Sequence, residues 1–395
     1  VAIPGERVDG HKFIPNVASQ GALAVISEQK LETPPCPYIL VKDSMEAIKA
    51  MAEYYMQQLN IPVVGITGSV GKTSTKETIA SVLAQKYRVL KTDANFNNEL
   101  GLSLTVFRLR EEDEMAVLEM GIDDFGQMHR LAKIARPETA VITNIGWWHM
   151  GKTRDGILQA KTEIFDHLRE NGHIIINGDD DKLSTVGTVH GIKPVHFGLD
   201  EKNEYYADEI ESQGFRGISC RIHTPHGSFS ALIPIPGRHM VYNALAGTAV
   251  GCMYGLTLEQ IKQGIETLQS VSGRFHIIET GKYTVVDDCY NANPVSMKAS
   301  LDVLKEAKGR KVAVLGDMGE LGTDEAALHA EVGTHAGTCG IDALYCAGPP
   351  LRRPRKPDGR TAETLTGRGS DSGKGIALYG VWKDCGDALR REIRV

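Results

Sequence analysis

Val63-Val64-Gly65-Ile66-Thr67-Gly68-Ser69-Val70-Gly71-Lys72-Thr73-Ser74 decides the fold of this chain. β-branched residues run into a glycine-rich turn, and a helical run follows from Lys76 to Gln85, with Ile79, Val82 and Leu83 on its apolar side. The order is strand, phosphate loop, helix. Glycines let the backbone N–H groups of Gly68, Ser69, Val70, Gly71, Lys72, Thr73 and Ser74 close around phosphate oxygens. The helix N-terminus adds positive potential, Lys72 adds a point charge, and the Thr73 hydroxyl offers a ligand for magnesium. The spacing departs from the common phosphate loop, which has glycine where this chain has Ile66; here the glycines stand at 65, 68 and 71.

With 395 residues the chain holds two or three domains. Apolar content of 42% and a formal charge of −6 are those of a globular protein without an electrostatic footprint for nucleic acid. Seven cysteines, none paired at zinc or redox spacing, read as reduced thiols of a cytoplasmic protein. No apolar run is long enough to span a membrane. Neither nucleic acid nor membrane is expected as a partner, and a monomer is the expectation.

Residues 1–60 read as a small α/β unit, with strands at 22–27 and 39–41 and a helix at 45–59 capped by Ser44. A central unit, 61–271, begins at Ile61-Pro62. Its Asn95-Phe96-Asn97-Asn98 run offers amides to a polar ligand, or caps a helix. Met115-Ala116-Val117-Leu118 is a buried strand ending in Glu119. Ligands sit outside the C-terminal ends of parallel strands, so a carboxylate there is a natural magnesium ligand. His149 follows another strand, Ala140 to Asn144; taken alone, a histidine there is more often structural. In the helix from Asp155 to Arg169, Lys161 interrupts the apolar stripe of Ile157, Leu158, Ile164, Phe165 and Leu168. A buried ammonium is costly, so such a lysine is paired, chemically used, or snorkelling at the edge; a functional role is favoured.

A linker at 270–273 leads to Arg274, placed to reach a nucleotide in the cleft between units. The third unit, 272–395, alternates strands and helices, which implies a parallel sheet. Asp287-Asp288-Cys289-Tyr290-Asn291-Ala292-Asn293-Pro294 and Gly316-Asp317-Met318-Gly319-Glu320-Leu321-Gly322 should lie at its rim. After Cys346 a run rich in Arg, Pro, Gly, Ser and Thr has no apolar periodicity, and the sheet is expected to lose its second half.

Together these residues resemble the Mur ligases of bacterial cell-wall synthesis, whose phosphate loop has the Thr-Gly-x-x-Gly-Lys-Thr spacing of Thr67 to Thr73. The motif around Asp288 to Met297, Gly316 to Gly322 with His329-Ala-Glu-Val-Gly333, and the opening Gly5-Glu-Arg-Val-Asp-Gly-His-Lys-Phe13 look like the D-alanyl-D-alanine-adding branch. The resemblance implies a three-domain α/β architecture: a UDP-substrate-binding unit, a central phosphate-loop domain and a Rossmann-like C-terminal domain. It also implies an ATP- and magnesium-dependent ligase that joins D-alanyl-D-alanine to a UDP-N-acetylmuramoyl-tripeptide through an acyl phosphate. By family likeness Lys72 holds the β- and γ-phosphates, and Thr73 and Glu119 hold one magnesium. His149 and a carbamylated Lys161 support a second. Asn243 meets adenine, Asp288 the ribose and Arg274 the γ-phosphate. Asn98 and Asn291 lie on the substrate side. Rival readings are another ligase of the superfamily, such as the diamino-acid-adding enzyme or folylpolyglutamate synthase, an inactive ATP-binding remnant, and a generic phosphate-loop ATPase.

Overall fold

The structure, a computed structural model, describes residues 1–5, 7–146, 153–281, 283–319, 321–347 and the backbone of 375–380. Two short parallel strands, β1 (Val25–Ser27) and β2 (Tyr38–Leu40), form the first sheet. The helix Ser44–Leu59 follows, and its cap is Asp43, not Ser44: the Asp43 carboxylate accepts from the N–H of Glu46 at 2.9 Å. Asp43 has the extended backbone of an N-cap, and Ser44 is already the first helical residue.

The second sheet carries the phosphate loop. Its strands are β3 (Val63–Thr67), β4 (Val89–Lys91), β5 (Met115–Glu119), β6 (Thr139–Ile142), β7 (His173–Asn177), β8 (Val195–Gly198), β9 (Tyr205–Ser212), β10 (Ile218–Thr224) and β11 (Gly227–Ile233). They lie in the order β11-β10-β9-β8-β7-β6-β3-β5-β4. From β4 to β9 every pairing is parallel; β10 and β11 add an antiparallel edge. Alternation along the strands explains their continuous apolar runs. Val64, Ile66, Val117, Val141 and Ile175 pack on one face with the helices Lys72–Leu83 and His239–Met253. Val63, Ala116, Leu118, Ala140 and Ile142 pack on the other, against the helices Ser44–Leu59, Glu99–Val106 and Gln127–Ala135. Each valine, leucine and isoleucine among them, fully withdrawn from water, contributes about 1.5–3 kcal/mol. The chain runs from β3 outward to β4 and β5, then crosses back to β6. The phosphate loop therefore leaves β3 at a topological switch point, where a crevice opens.

The third sheet comprises β12 (His276–Glu279), β13 (Tyr283–Asp288), β14 (Arg310–Gly316), β15 (Ala343–Ala347) and β16 (Gly375–Gly380), in the order β12-β13-β16-β14-β15. All pairings are parallel except β12 with β13. This corrects the expectation that the sheet ends near Cys346. Gly375-Ile-Ala-Leu-Tyr-Gly380 enters between β13 and β14 as a central strand. A short apolar run between glycines is what a doubly covered parallel strand looks like, but the long polar stretch before it hides the signal. The helices Pro294–Lys305 and Glu325–Thr338 cover this sheet.

Candidate nucleotide and ligation site

The loop after β3 has little freedom. Gly68 has φ of 151°, and a Cβ there would lie 1.9 Å from the Thr143 hydroxyl. Gly71, at φ 82°, is the left-handed residue that starts the helix Lys72–Leu83. The segment just after β6 clasps the loop from its other side. Asn144 accepts from Val70 N at 2.9 Å and donates to Val70 O at 2.9 Å, while the Thr143 hydroxyl donates to the same carbonyl at 2.7 Å. Ser69 Oγ accepts from Gly146 N at 2.9 Å. Asn144 and Thr143 are functional supports that sequence reading passed over; their one signal was polarity at a buried strand end.

Two ammonium groups converge on one carbonyl. Lys72 Nζ donates to Gly68 O at 2.9 Å, and Lys161 Nζ donates to the same oxygen at 3.1 Å. Lys161 sits on the helix Arg154–Thr162 and is 6% exposed, so its place in the apolar stripe buries it. Burial, then repulsion from Lys72, pushes its pKa well below the ordinary lysine value, with Asp123 pulling the other way. Burial also lowers Lys72, and Arg274 adds to that, while Glu119 and Asp123 oppose it. Asp123, four residues past β5, was not picked out in the sequence; it is a carboxylate felt by both lysines.

Glu119 closes β5 at 2% exposure. Its Oε1 accepts from Asn97 Nδ2 at 2.9 Å, and its Oε2 has no hydrogen-bond partner, with Lys76 Nζ 3.9 Å away. A buried carboxylate oxygen with a distant ammonium and no hydrogen bond is only partly compensated, which a hard cation would relieve; Thr73, in the first turn of the helix Lys72–Leu83, carries a hydroxyl, another hard oxygen donor. Lys76, 1% exposed, donates to Thr92 O at 2.7 Å and pairs with Glu77 at 3.1 Å. Sequence reading missed it because it stands at the start of an ordinary helical run. Within the asparagine run the amides divide: Asn97 reaches Glu119, whereas Asn98 Oδ1 accepts from Gly101 N at 2.8 Å and caps the helix Glu99–Val106.

A cavity of about 370 Å³ opens beside the loop, lined among others by Val70, Gly71, Ser74, Asn243, Arg274 and Asp288. Asn243 is 5% exposed; its Oδ1 accepts from the Thr75 hydroxyl at 2.9 Å, tying the helix His239–Met253 to the loop helix. Arg274 crosses from the third unit, its guanidinium 4.2 Å above the Tyr290 ring. Asp288 accepts from Phe275 N at 3.1 Å and from the Ser300 hydroxyl, and burial raises its pKa despite these bonds. Asn291, exposed, turns its Oδ1 to Ala292 N at 2.9 Å, beside the capping residue Asn293. His149 lies outside the described residues. The fold thus gathers Lys72, Lys161, Glu119, Asn243, Arg274 and Asp288 about the loop and its cavity, and leaves Asn98 and Asn291 in local hydrogen bonds.

Family models match two stretches of the chain: the Mur ligase middle domain at residues 66–251, and the Mur ligase glutamate ligase domain at 273–392. Among curated proteins, the UDP-N-acetylmuramoyl-tripeptide–D-alanyl-D-alanine ligase of Bacillus subtilis is 38% identical over 88% of this chain and 76% of its own length. The protein of the same name from Escherichia coli is 37% identical over 88% and 78%. Among solved structures, MurF from Acinetobacter baumannii superposes with a TM-score of 0.87 at 30% identity, over 99% of this chain and 89% of that one. MurF from Thermotoga maritima, solved in complex with ADP, gives 0.82 at 27% identity, over 99% and 91%.

Proposed function

The chain belongs to the Mur ligase family, and from that premise we propose that it is the ATP-dependent ligase joining D-alanyl-D-alanine to a UDP-N-acetylmuramoyl-tripeptide. The observation that carries the chemistry is the bare Glu119 Oε2 at the end of β5, beside a phosphate loop on whose Gly68 carbonyl two lysines meet. Such a site suits a polyanion and a hard cation together.

A carboxylate is a poor electrophile because its leaving group would be oxide. In this reading the terminal carboxylate of the tripeptide attacks the γ-phosphorus of ATP, ADP leaves, and an acyl phosphate forms. The amine of D-alanyl-D-alanine attacks the acyl carbon, loses its proton, and inorganic phosphate departs as the amide forms. Negative charge gathers at each stage, so cations fixed beforehand lower the barrier. Lys72 turns from Gly68 O to the β- and γ-phosphates, and Arg274 reaches the γ-phosphate across the cleft. Asn243 contacts adenine and Asp288 the ribose. Asn98 and Asn291 are assigned to the substrate side by family likeness, although each side-chain oxygen is held by a local backbone N–H.

Thr73 and Glu119 would hold one magnesium; His149 and Lys161 would support a second. When bound, the ion neutralises charge on the transferring phosphoryl group. Burial lowers the proton affinity of Lys161, which favours uptake of carbon dioxide as a carbamate; that would place an anion beside Lys72. We take the chain as three working units, 1–60, 61–271 and 272–395, acting as a monomer in the cytoplasm; among the described residues no helix is long and apolar enough to cross a membrane. The test is phosphate release from ATP and magnesium with each substrate alone and with both. Release that needs both, with a pentapeptide product by mass spectrometry, supports the reading. Ligation of a diamino acid or glutamate in place of the dipeptide, or ATP binding without ligation, overturns it.

A further inference from the structure

Away from the nucleotide cavity, three different metal-ligating side chains meet on the outer layer of the third unit. Asp302 stands on the helix Pro294–Lys305; His335 and Cys339 stand one turn apart at the end of the helix Glu325–Thr338. His335 Nε2 lies 2.8 Å from Asp302 Oδ1, and Cys339 Sγ lies 3.8 Å from the same oxygen. One ligand atom from each falls within 4.8 Å of the others. The two helices are already in register there, since Lys298 pairs with Glu331 one turn earlier on each.

We propose that Asp302, His335 and Cys339 form a site for a zinc-class divalent cation, with the fourth position open to water. An ion pair between the helices needs only His335 and Asp302. The third group, a sulfur at a residue 2% exposed, is aimed at the same carboxylate oxygen, to which its thiol gives only a long, weak hydrogen bond of 3.8 Å. Thiolate, imidazole and carboxylate together are the donor set of a borderline cation and a poor one for magnesium or calcium. Bonds of about 2.0–2.3 Å place tetrahedral ligand atoms roughly 3.3–3.8 Å apart; sulfur and carboxylate already stand 3.8 Å apart, and the 2.8 Å contact of imidazole and carboxylate would open by roughly half an ångström to admit the ion. Asp302 is exposed, which gives the ion an entry path and the fourth ligand a place. The cation would clamp together the helix that carries Ser300, and through it Asp288, and the helix packed beside it. Binding at this site stands apart from the ligase reading and fails or survives separately.

Cobalt(II) is the probe. The full chain, reduced and freed of metal, is titrated with cobalt in the absence of nucleotide. The expected result is one equivalent bound with a sulfur-to-cobalt charge-transfer band, displaced by zinc. Cys339→Ser removes the band, and His335→Gln weakens cobalt binding by at least about tenfold, the loss that follows even from deleting an outer hydrogen bond to a metal ligand. Both variants should melt as cooperatively as the parent. A parent without the sulfur band, or a band that persists in Cys339→Ser, overturns the proposal. So does cobalt bound without sulfur, as the facing imidazoles of His129 and His167, 3.3 Å apart, would hold it. Should Cys339→Ser fail to fold, His335→Gln and Asp302→Asn decide the question in its place: tenfold weakening of the band's titration supports the site, and an unchanged titration overturns it.

Discussion

At the end of β5, Glu119 keeps one carboxylate oxygen bare; at the end of β13, Asp287 and Asp288 use both of theirs. Asp287 takes the N–H of Gly273 at 3.1 Å, and Asp288 takes that of Phe275 at 3.1 Å. The two acids bracket Arg274 from either side and fix the backbone that carries it. Both rims lie at C-terminal ends of parallel strands, yet one holds charge in reserve for a ligand and the other uses charge to hold the backbone of residues 273–275. The difference shows that the local backbone decides how a strand-end acid can meet a ligand: Glu119 has an oxygen without a hydrogen-bond partner, whereas a ribose at Asp288 would share oxygens that already accept from Phe275 and Ser300.

The largest expected effect belongs to the first rim. Lys72→Ala should lower ligation by about a thousandfold or more, the scale of losing a preorganised charge at a phosphoryl-transfer site. Arg274→Ala, on the second rim, should cost less and raise the KM for ATP more than it lowers kcat. Steady-state kinetics of the two variants separates the roles; equal losses in kcat would erase the distinction drawn here.

Lys161→Met tests the same rim by stability. A lysine whose proton affinity is lowered by folding makes the unfolded chain the better proton binder, so its burial costs stability at neutral pH. Methionine should therefore stabilise the ligand-free protein, by about 1–4 kcal/mol, the range seen when buried charged groups give way to apolar ones. The gain should shrink as pH rises toward the ordinary lysine value of 10.5, where the parent's penalty disappears. Urea melts at pH 7 and 9.5 check this, and a destabilised variant would show that Lys161 is already paired or modified in the resting protein. Asn97→Ala should destabilise by about 1–3 kcal/mol, because it takes the donor from the second buried oxygen of Glu119, and weaken magnesium binding by about 10–100-fold; urea melts and calorimetric titration with magnesium in the presence of ADP read the two effects.

Much of this was legible in the sequence, for local reasons. The phosphate loop, Glu119 at a strand end and Lys161 in an apolar stripe each break a pattern that their neighbours set, so each stands out in one dimension. Asn144, Asp123 and Lys76 break no local pattern; they matter because β6, the loop after β5 and the loop helix come together in three dimensions. The capping residue Asp43 was displaced by one because Ser44 has the same chemistry. Strand β16 was missed because its six residues follow a long polar run, and only pairing with β13 and β14 gives them a role.

The smallest effect is expected at the second rim, and it carries a sign. Burial raises the pKa of Asp288, so the folded protein binds the proton better than the unfolded chain does, and stability falls as pH rises from the ordinary carboxylate value of 3.8 through the folded one. The Ser300 hydroxyl opposes that by donating to the charged form. Ser300→Ala should therefore destabilise by about 1.5 kcal/mol at pH 7, the lower end for a hydrogen bond to an ionised group. The loss should narrow at pH 4, where protonation of Asp288 removes much of what the hydroxyl stabilises. A loss that is equal at both pH values would mean that Ser300 acts by packing alone. In that case Arg274 is held by the backbone bonds of Gly273 and Phe275 without help from the helix behind them, and the second rim is simpler than the hydrogen bonds suggest.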